Sequence, residues 1–242
     1  ICIMIQALEE MITLLYPRRC PLCQDILTDK AALICMKCRT KAVPIRGPKC
    51  KTCGKPVASL ETEYCPDCQE KTHFFTSGRA VFLYEEEIRK SVYQFKFHNK
   101  REYAGFYVSE MERVCGDEIR TWNPDVIIPI PMYKRKKRQR GYNQAEILAK
   151  CLGKRLQIPV DTKSLVRVRK TIPQKSLGRK EREINLKNAF KTSTNALELK
   201  KVLLVDDIYT TGVTMDEAAK VLWMAGAEEV HFLVLCTGKP DC

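Results

Sequence analysis

Apolar residues recur at Ile5, Leu8, Ile12 and Leu15, the spacing of one helical face, and Pro17 stops the run. This predicts an amphipathic helix that packs on the rest of the chain. From Gly78 onward, strand-like and helix-like patterns alternate. Arg79–Tyr84 reads as a strand. Glu86–Phe97 reads as a helix with Ile88, Val92 and Phe95 on one face, and Tyr103–Cys115 as another helix. Val126–Ile130 is an apolar run of buried-strand type, followed by a basic loop and a helix at Asn143–Leu156. Leu165–Val168 is a short strand. The polar stretch Lys170–Lys187 has no apolar stripe and reads as a mobile excursion. Lys201–Val205 is a strand, Thr214–Ala225 a helix closed by Gly226, and Val230–Leu235 a last strand. The expected fold is α/β, a parallel sheet covered on both faces, with ligands gathering at the carboxyl ends of its strands. The chain divides into residues 1–17, 18–77 and 78–242.

The most apolar stretch, Ile1–Tyr16, is broken by Glu9 and Glu10. It falls short of the roughly 20 apolar residues a membrane span needs and lacks the marks of a secretory signal. A cytoplasmic protein with no membrane insertion is expected. With 42 Lys and Arg against 29 Asp and Glu, the formal charge is +13, which favours polyanionic partners. Lys134–Arg140 reads KRKKRQR, six basic residues in seven.

Eight of the 13 cysteines form four CxxC pairs: Cys20/Cys23, Cys35/Cys38, Cys50/Cys53 and Cys65/Cys68. Each pair starts 15 residues after the one before, so the segment is a tandem repeat of C-x2-C-x11-C-x2-C. Without a secretion signal, a disulfide framework is not expected. Each CxxC sets two thiolates on one turn, and two such turns close a tetrahedron around Zn²⁺. Two structural zinc sites follow, their metal supplying free energy that such short segments cannot obtain from a core. Pairing within each repeat is simplest, and a crossed arrangement fits the same spacing. His73, near Cys68, is left out because four thiolates are already at hand.

The line Val202-Leu-Leu-Val-Asp206-Asp207-Ile-Tyr-Thr210-Thr211-Gly212-Val-Thr214 puts two carboxylates at a strand end, ahead of a loop that opens into a helix. The loop offers backbone N–H groups, three hydroxyls and the positive helix end to one phosphate. The carboxylates suit vicinal sugar hydroxyls. Together they describe a site for a sugar 5-phosphate. A receiver-type acidic pair would need further catalytic strands in the 35 residues that remain after Asp207. A Walker B strand would need a GxxxxGK[ST] elsewhere, and none occurs.

This line resembles the signature with which type I phosphoribosyltransferases bind 5-phosphoribosyl-1-pyrophosphate (PRPP). The whole chain resembles the ComF/GntX family, including competence proteins of the ComFC type. These join an N-terminal double zinc ribbon to a phosphoribosyltransferase-like domain. The marks are Leu15-Tyr-Pro-Arg-Arg-Cys20-Pro-Leu-Cys23, Phe95-Lys96-Phe97-His98, Pro129-Ile-Pro131, Arg140-Gly-Tyr-Asn-Gln-Ala145, Gln174 through Arg182 and Asn185 to Phe190, and Asp206–Thr214. The resemblance implies that residues 18–77 are the double zinc ribbon and 78–242 the phosphoribosyltransferase-like domain. It implies that Asp206 and Asp207 bind the ribose hydroxyls of PRPP, and that Thr210, Thr211, Gly212 and Thr214 grip its 5-phosphate. Met132, Tyr133 and Lys134 would form the pyrophosphate loop, where Mg²⁺ accompanies PRPP. Lys170–Lys187 corresponds to a hood that closes over the site. No residue stands out as a general base.

PRPP needs few cations, and this chain has a surplus: Lys134, Arg135, Lys136, Lys137, Arg138 and Arg140, with Arg167, Arg169, Lys170, Lys175, Arg179, Lys180 and Arg182 beyond them. The excess suggests a longer polyanion. Tyr133 and Tyr142 flank the run, where base stacking is one use for them and core packing the other. His98 is read as a surface or capping residue. Two functions follow. One, implied by the resemblance and in agreement with the surplus charge, is a competence-type factor that binds single-stranded DNA and carries a PRPP site, with a ComFA-type helicase as partner. The other is a transferase that moves phosphoribosyl from PRPP to an acceptor and releases pyrophosphate.

Overall fold

The computed structural model describes residues 17–29, 31–169, 186, 188–193 and 201–238. The helix expected over residues 1–17, Pro17 apart, lies outside them. So does the excursion at Lys170–Lys187, Leu186 apart.

The cysteine-rich segment has little regular structure: α1 (Met36–Arg39) and α2 (Pro66–Glu70), each starting directly after the first cysteine of a CxxC pair. The α/β part follows in the order β1 (Ser77–Leu83), α3 (Glu86–Phe97), α4 (Ala104–Trp122), β2 (Val126–Pro129), α5 (Lys134–Arg140) and α6 (Gln144–Leu156). It continues through β3 (Leu165–Arg167), β4 (Phe190–Thr192), β5 (Lys201–Tyr209), α7 (Val213–Met224) and β6 (Glu229–Thr237). Four strands form one parallel sheet in the order β1-β6-β5-β2. β3 and β4 pair antiparallel in a separate ribbon, with Arg167 opposite Phe190.

Side chains alternate across the sheet, because successive strand residues point to opposite faces. Leu203 and Val205 of β5 enter a core with Phe95 of α3, Tyr107 of α4 and Leu148 of α6. Val202 and Leu204 enter the opposite core with Met215 and Leu222 of α7. The cysteine-rich segment belongs to both. Leu22, Ile34 and Cys38 pack into the first core, whereas Ile45, Cys53, Cys65 and Phe75 pack into the second. The two metal-binding repeats thus clasp opposite faces of one sheet, and the boundary read at residue 78 falls inside β1. Gly54 makes the second contact close: its φ is +71°, and a Cβ there would lie 2.5 Å from the Gly78 carbonyl oxygen.

Several elements depart from the sequence reading. β5 continues beyond Val205 through both aspartates to Tyr209, because β6 keeps pairing alongside it: Asp206 faces Val234 and Tyr209 faces Thr237. α4 runs past Cys115 to Trp122, where Asn123 turns left-handed at φ +44° and stops it. β4 has no counterpart in the sequence reading. A three-residue strand has no pattern of its own and exists here through pairing with β3. The segment read as a basic loop is the helix α5. Lys, Arg and Gln are strong helix formers even without an apolar stripe. Gly141, at φ +84°, closes the helix by donating its N–H to the Lys137 carbonyl at 2.8 Å.

Candidate functional site

The eight paired cysteines gather in two sets, Cys20, Cys23, Cys35 and Cys38, and Cys50, Cys53, Cys65 and Cys68, with all ligand atoms of a set within 4.8 Å of one another. The pairing is therefore within each repeat. The Cys23–Cys35 sulfurs are 3.7 Å apart and the Cys53–Cys65 sulfurs 3.5 Å apart. A tetrahedron with Zn–S bonds of about 2.3 Å has sulfur–sulfur edges of about 3.8 Å, so both sets fit Zn²⁺. His73 does not join the second set. Its Nε2 lies 3.5 Å from the Cys68 sulfur, and its Nδ1 lies 3.3 Å from Asp216 Oδ1 in the first turn of α7. Such an arrangement orients a ligand from behind. Asp216 also accepts the Phe74 N–H at 2.8 Å and faces Lys71 Nζ at 3.3 Å. Burial alone would raise its carboxyl, but His73, the Phe74 N–H and Lys71 outweigh that and hold it below the ordinary range.

At the carboxyl end of the sheet, Asp206 and Asp207 are consecutive residues of β5 and point to opposite sides. Lys96, in the last turn of α3, places Nζ 2.8 Å from Asp207 Oδ1. The Asp207 N–H donates to Asp206 Oδ1 at 2.8 Å. Burial first, and the adjacent Asp207 next, push the Asp206 carboxyl up to about 7. Lys96 and Arg167 act against that rise. Beyond the strand, a hollow is lined by Ile208, Tyr209, Thr210, Gly212, Thr214 and Met215. Gly212 caps α7 at φ +79°, and a Cβ there would lie 2.5 Å from Tyr209 Oη. Glycine is demanded twice, by the left-handed backbone and by the tyrosine. Tyr209 in turn stacks on Phe232 at 4.8 Å, and Phe75 packs edge-on against both rings. The loop therefore rests on an aromatic column that continues through Phe75 to His73, 4.4 Å away. Thr210 is exposed, while Thr211 and Thr214 are half-buried.

β2 delivers the third part. Pro129 pairs with Val205, so Pro131, Met132 and Tyr133 leave the sheet beside the aspartates. Asn143 pins this exit by donating Nδ2–H to the Ile130 carbonyl at 2.9 Å. Lys134, Arg135, Lys136, Lys137 and Arg138 of α5 are exposed and Arg140 is half-buried. Lys136 and Arg140 both lie within the electrostatic reach of Asp207. Partial desolvation beside its neighbours lowers Lys136 first, and the nearby Arg140, Arg167 and Lys96 lower it further. Lys137 points away, to Glu146 at 2.5 Å.

For Tyr142 the structure decides against base stacking and for core packing, the other use read for it. It is 6% exposed, its hydroxyl donates to the Phe95 carbonyl, and the Arg101 guanidinium covers its ring at 4.6 Å. No open face remains for a base. Lys96 is a site residue that sequence reasoning does not single out. It stands in the FKFH line, and nothing local distinguishes a lysine at the end of an amphipathic helix from a solvated one.

Residues 11–69 match the double zinc ribbon domain, and residues 108–242 match the phosphoribosyl transferase domain. The chain is 31% identical over 218 residues to competence protein F of Haemophilus influenzae, an alignment that covers 88% of this chain and 94% of that protein. The chain belongs to the ComF/GntX family. It is also 28% identical to competence protein ComFC of Bacillus subtilis over 80% of this chain and 79% of that one. To DNA utilization protein YhgH of Salmonella typhimurium it is 32% identical, over 91% and 97%. Both parts of the ComF/GntX architecture, a zinc ribbon and a phosphoribosyltransferase domain, are thus present, with two four-cysteine sets that fit zinc. No helix among the described residues is long and apolar enough to cross a membrane.

Proposed function

We propose that this protein is a cytoplasmic competence-type factor in DNA uptake and processing, which binds single-stranded DNA and holds PRPP in its phosphoribosyltransferase-like site. One observation carries the PRPP half: adjacent Asp206 and Asp207 at the strand end, beside the Gly212-capped start of α7 and among Lys96, Lys136, Arg140 and Arg167. Asp206 and Asp207 take the ribose hydroxyls. Thr210, Thr211, Thr214 and the N–H groups around Gly212 take the 5-phosphate. Met132, Tyr133 and Lys134 take the pyrophosphate, with Mg²⁺ supplying further charge neutralisation through oxygen ligands. The names of the relatives, competence and DNA utilization, support the DNA half. The surplus of exposed cations on α5 agrees with it. A ComFA-type helicase is the partner proposed.

The test is calorimetry with Mg-PRPP. Asp206→Asn with Asp207→Asn is expected to abolish binding while zinc content stays unchanged. Retained affinity in that variant removes the site assignment. The same intact site supports a second reading, in which an acceptor attacks C1 of PRPP and pyrophosphate departs with the bonding electrons. Mg²⁺-dependent pyrophosphate release stimulated by an acceptor would establish it.

A further inference from the structure

One face of α3 is core and the other is aromatic and open. Ile88, Val92 and Phe95 are buried, whereas Tyr93 and Phe97, one turn apart, are 45% and 50% exposed. The two rings lie 4.9 Å apart at 44°, and the His98 ring lies 5.5 Å from Tyr93 at 48°. Three neighbouring rings therefore stand together in water. Exposed apolar groups that cluster, rather than scatter singly, mark a place where something else binds.

The cluster is joined to the basic helix. The Arg140 guanidinium lies 4.6 Å over the Phe97 ring, and Arg140 is the last residue of α5. From there α5 leads back through exposed Arg138, Lys136, Arg135 and Lys134. A cationic track that ends on open rings has the chemistry of a single strand: phosphates follow the charge and splayed bases stack on the aromatic faces. Charge complementarity selects a polyanion. The rings select one with exposed bases, since a duplex keeps its base faces inside its own stack.

We propose that Tyr93, Phe97 and His98 form a base-stacking surface for single-stranded nucleic acid whose backbone lies along α5, with Arg140 joining the two parts. This rests on the DNA-binding reading above and deepens it by naming where the bases go. It also replaces Tyr142, which the fold buries, with rings on a different element. Lys96 lies between Phe95 and Phe97 on the same last turn and holds Asp207, so the stacking surface and the PRPP pocket share one helix end.

The experiment titrates a fluorescein-labelled oligo-dT with the full chain at two salt concentrations. The variants are Tyr93→Ala with Phe97→Ala, and Lys134→Gln with Arg135→Gln and Arg138→Gln. The ring variant is expected to bind about tenfold or more weakly at both salts with the salt slope unchanged, because stacking releases no counterions. The charge variant is expected to flatten the slope. Tyr93→Phe with Phe97→Tyr should restore wild-type affinity, which separates stacking from a general disturbance of α3. A ring variant that binds as tightly as wild type overturns the stacking surface and leaves DNA binding standing. An equal loss on a duplex of the same length overturns it too. Wild-type protein that binds at neither salt overturns both.

Discussion

Lys96 Nζ lies 2.8 Å from Asp207 Oδ1, with 18% and 13% of the two side chains exposed. This pair ties the end of α3 to the centre of the proposed ribose site. Burial alone would lower the lysine, yet Asp207 outweighs it and holds the ammonium above its ordinary value. Lys96→Met leaves two adjacent carboxylates without their nearest cation. It is expected to cost about 3 kcal/mol in urea unfolding, the scale for breaking one side of a desolvated pair. Unchanged stability would mean that Asp207 is balanced from elsewhere.

Asp206 makes the site pH-dependent. Its carboxyl is pushed from 3.8 up to about 7, by burial first and Asp207 second. Between those values the folded protein keeps a proton that the unfolded chain has released, so stability falls as pH rises from about 4 to about 7. Asp206→Asn carries no such penalty. Its stabilising effect is expected to be absent at about pH 4 and full at about pH 8. At about 1.4 kcal/mol per pH unit, it should raise Tm by several degrees there. Melting curves at the two pH values check this, and an equal shift at both would contradict it. The same variant is expected to lose PRPP affinity, so stability and binding move in opposite directions.

Gly212→Ala meets both a left-handed backbone and the Tyr209 hydroxyl. The expected cost is about 1–3 kcal/mol together with weakened PRPP binding. Adding Tyr209→Phe removes the oxygen 2.5 Å from the new methyl. The double variant should therefore recover part of the stability, leaving the backbone share. Denaturation of the two variants in parallel measures each share, and no recovery would assign the whole cost to the backbone.

The two zinc sites should differ in what they control. Cys68 touches His73, His73 and the Phe74 N–H hold Asp216, and Asp216 sits in the first turn of α7 beside the loop proposed to take the 5-phosphate. Cys53→Ser is expected to lower zinc content from two ions to one and to weaken PRPP binding several-fold. Cys38→Ser, in the set that packs on the opposite face, should lose one ion with far less effect on PRPP. Metal analysis and calorimetry on both variants make the comparison. Equal losses of affinity would show that neither site is specific to the loop.

Much of the fold is legible in the sequence because its signals are local. The helix Glu86–Phe97 follows from the spacing of Ile88, Val92 and Phe95, and the same residues fill the buried face of α3. The zinc ligands are legible from spacing, since CxxC is a turn before it is part of a fold. α5 escapes such a reading because a helix with no buried residue leaves no apolar period to detect. β4 escapes it because its three residues depend on β3.

Read alone, the chain determined most of its element order, its eight cysteine ligands in four CxxC pairs and the Asp206–Thr214 line, since each depends on residues within a few positions of one another. Zinc pairing was left open between two arrangements until the backbone brought each repeat together. The tertiary structure decided that the ribbons grip opposite faces of one sheet, that Lys96 reaches Asp207, and that Tyr142 is buried while Tyr93 and Phe97 remain in water. The reason is physical. A turn or a helix face is set by neighbours in sequence, whereas burial and ion pairing depend on which distant surfaces meet. Lys96 and Asp207 are brought together by packing α3 against the sheet, and no periodicity along the chain records that contact.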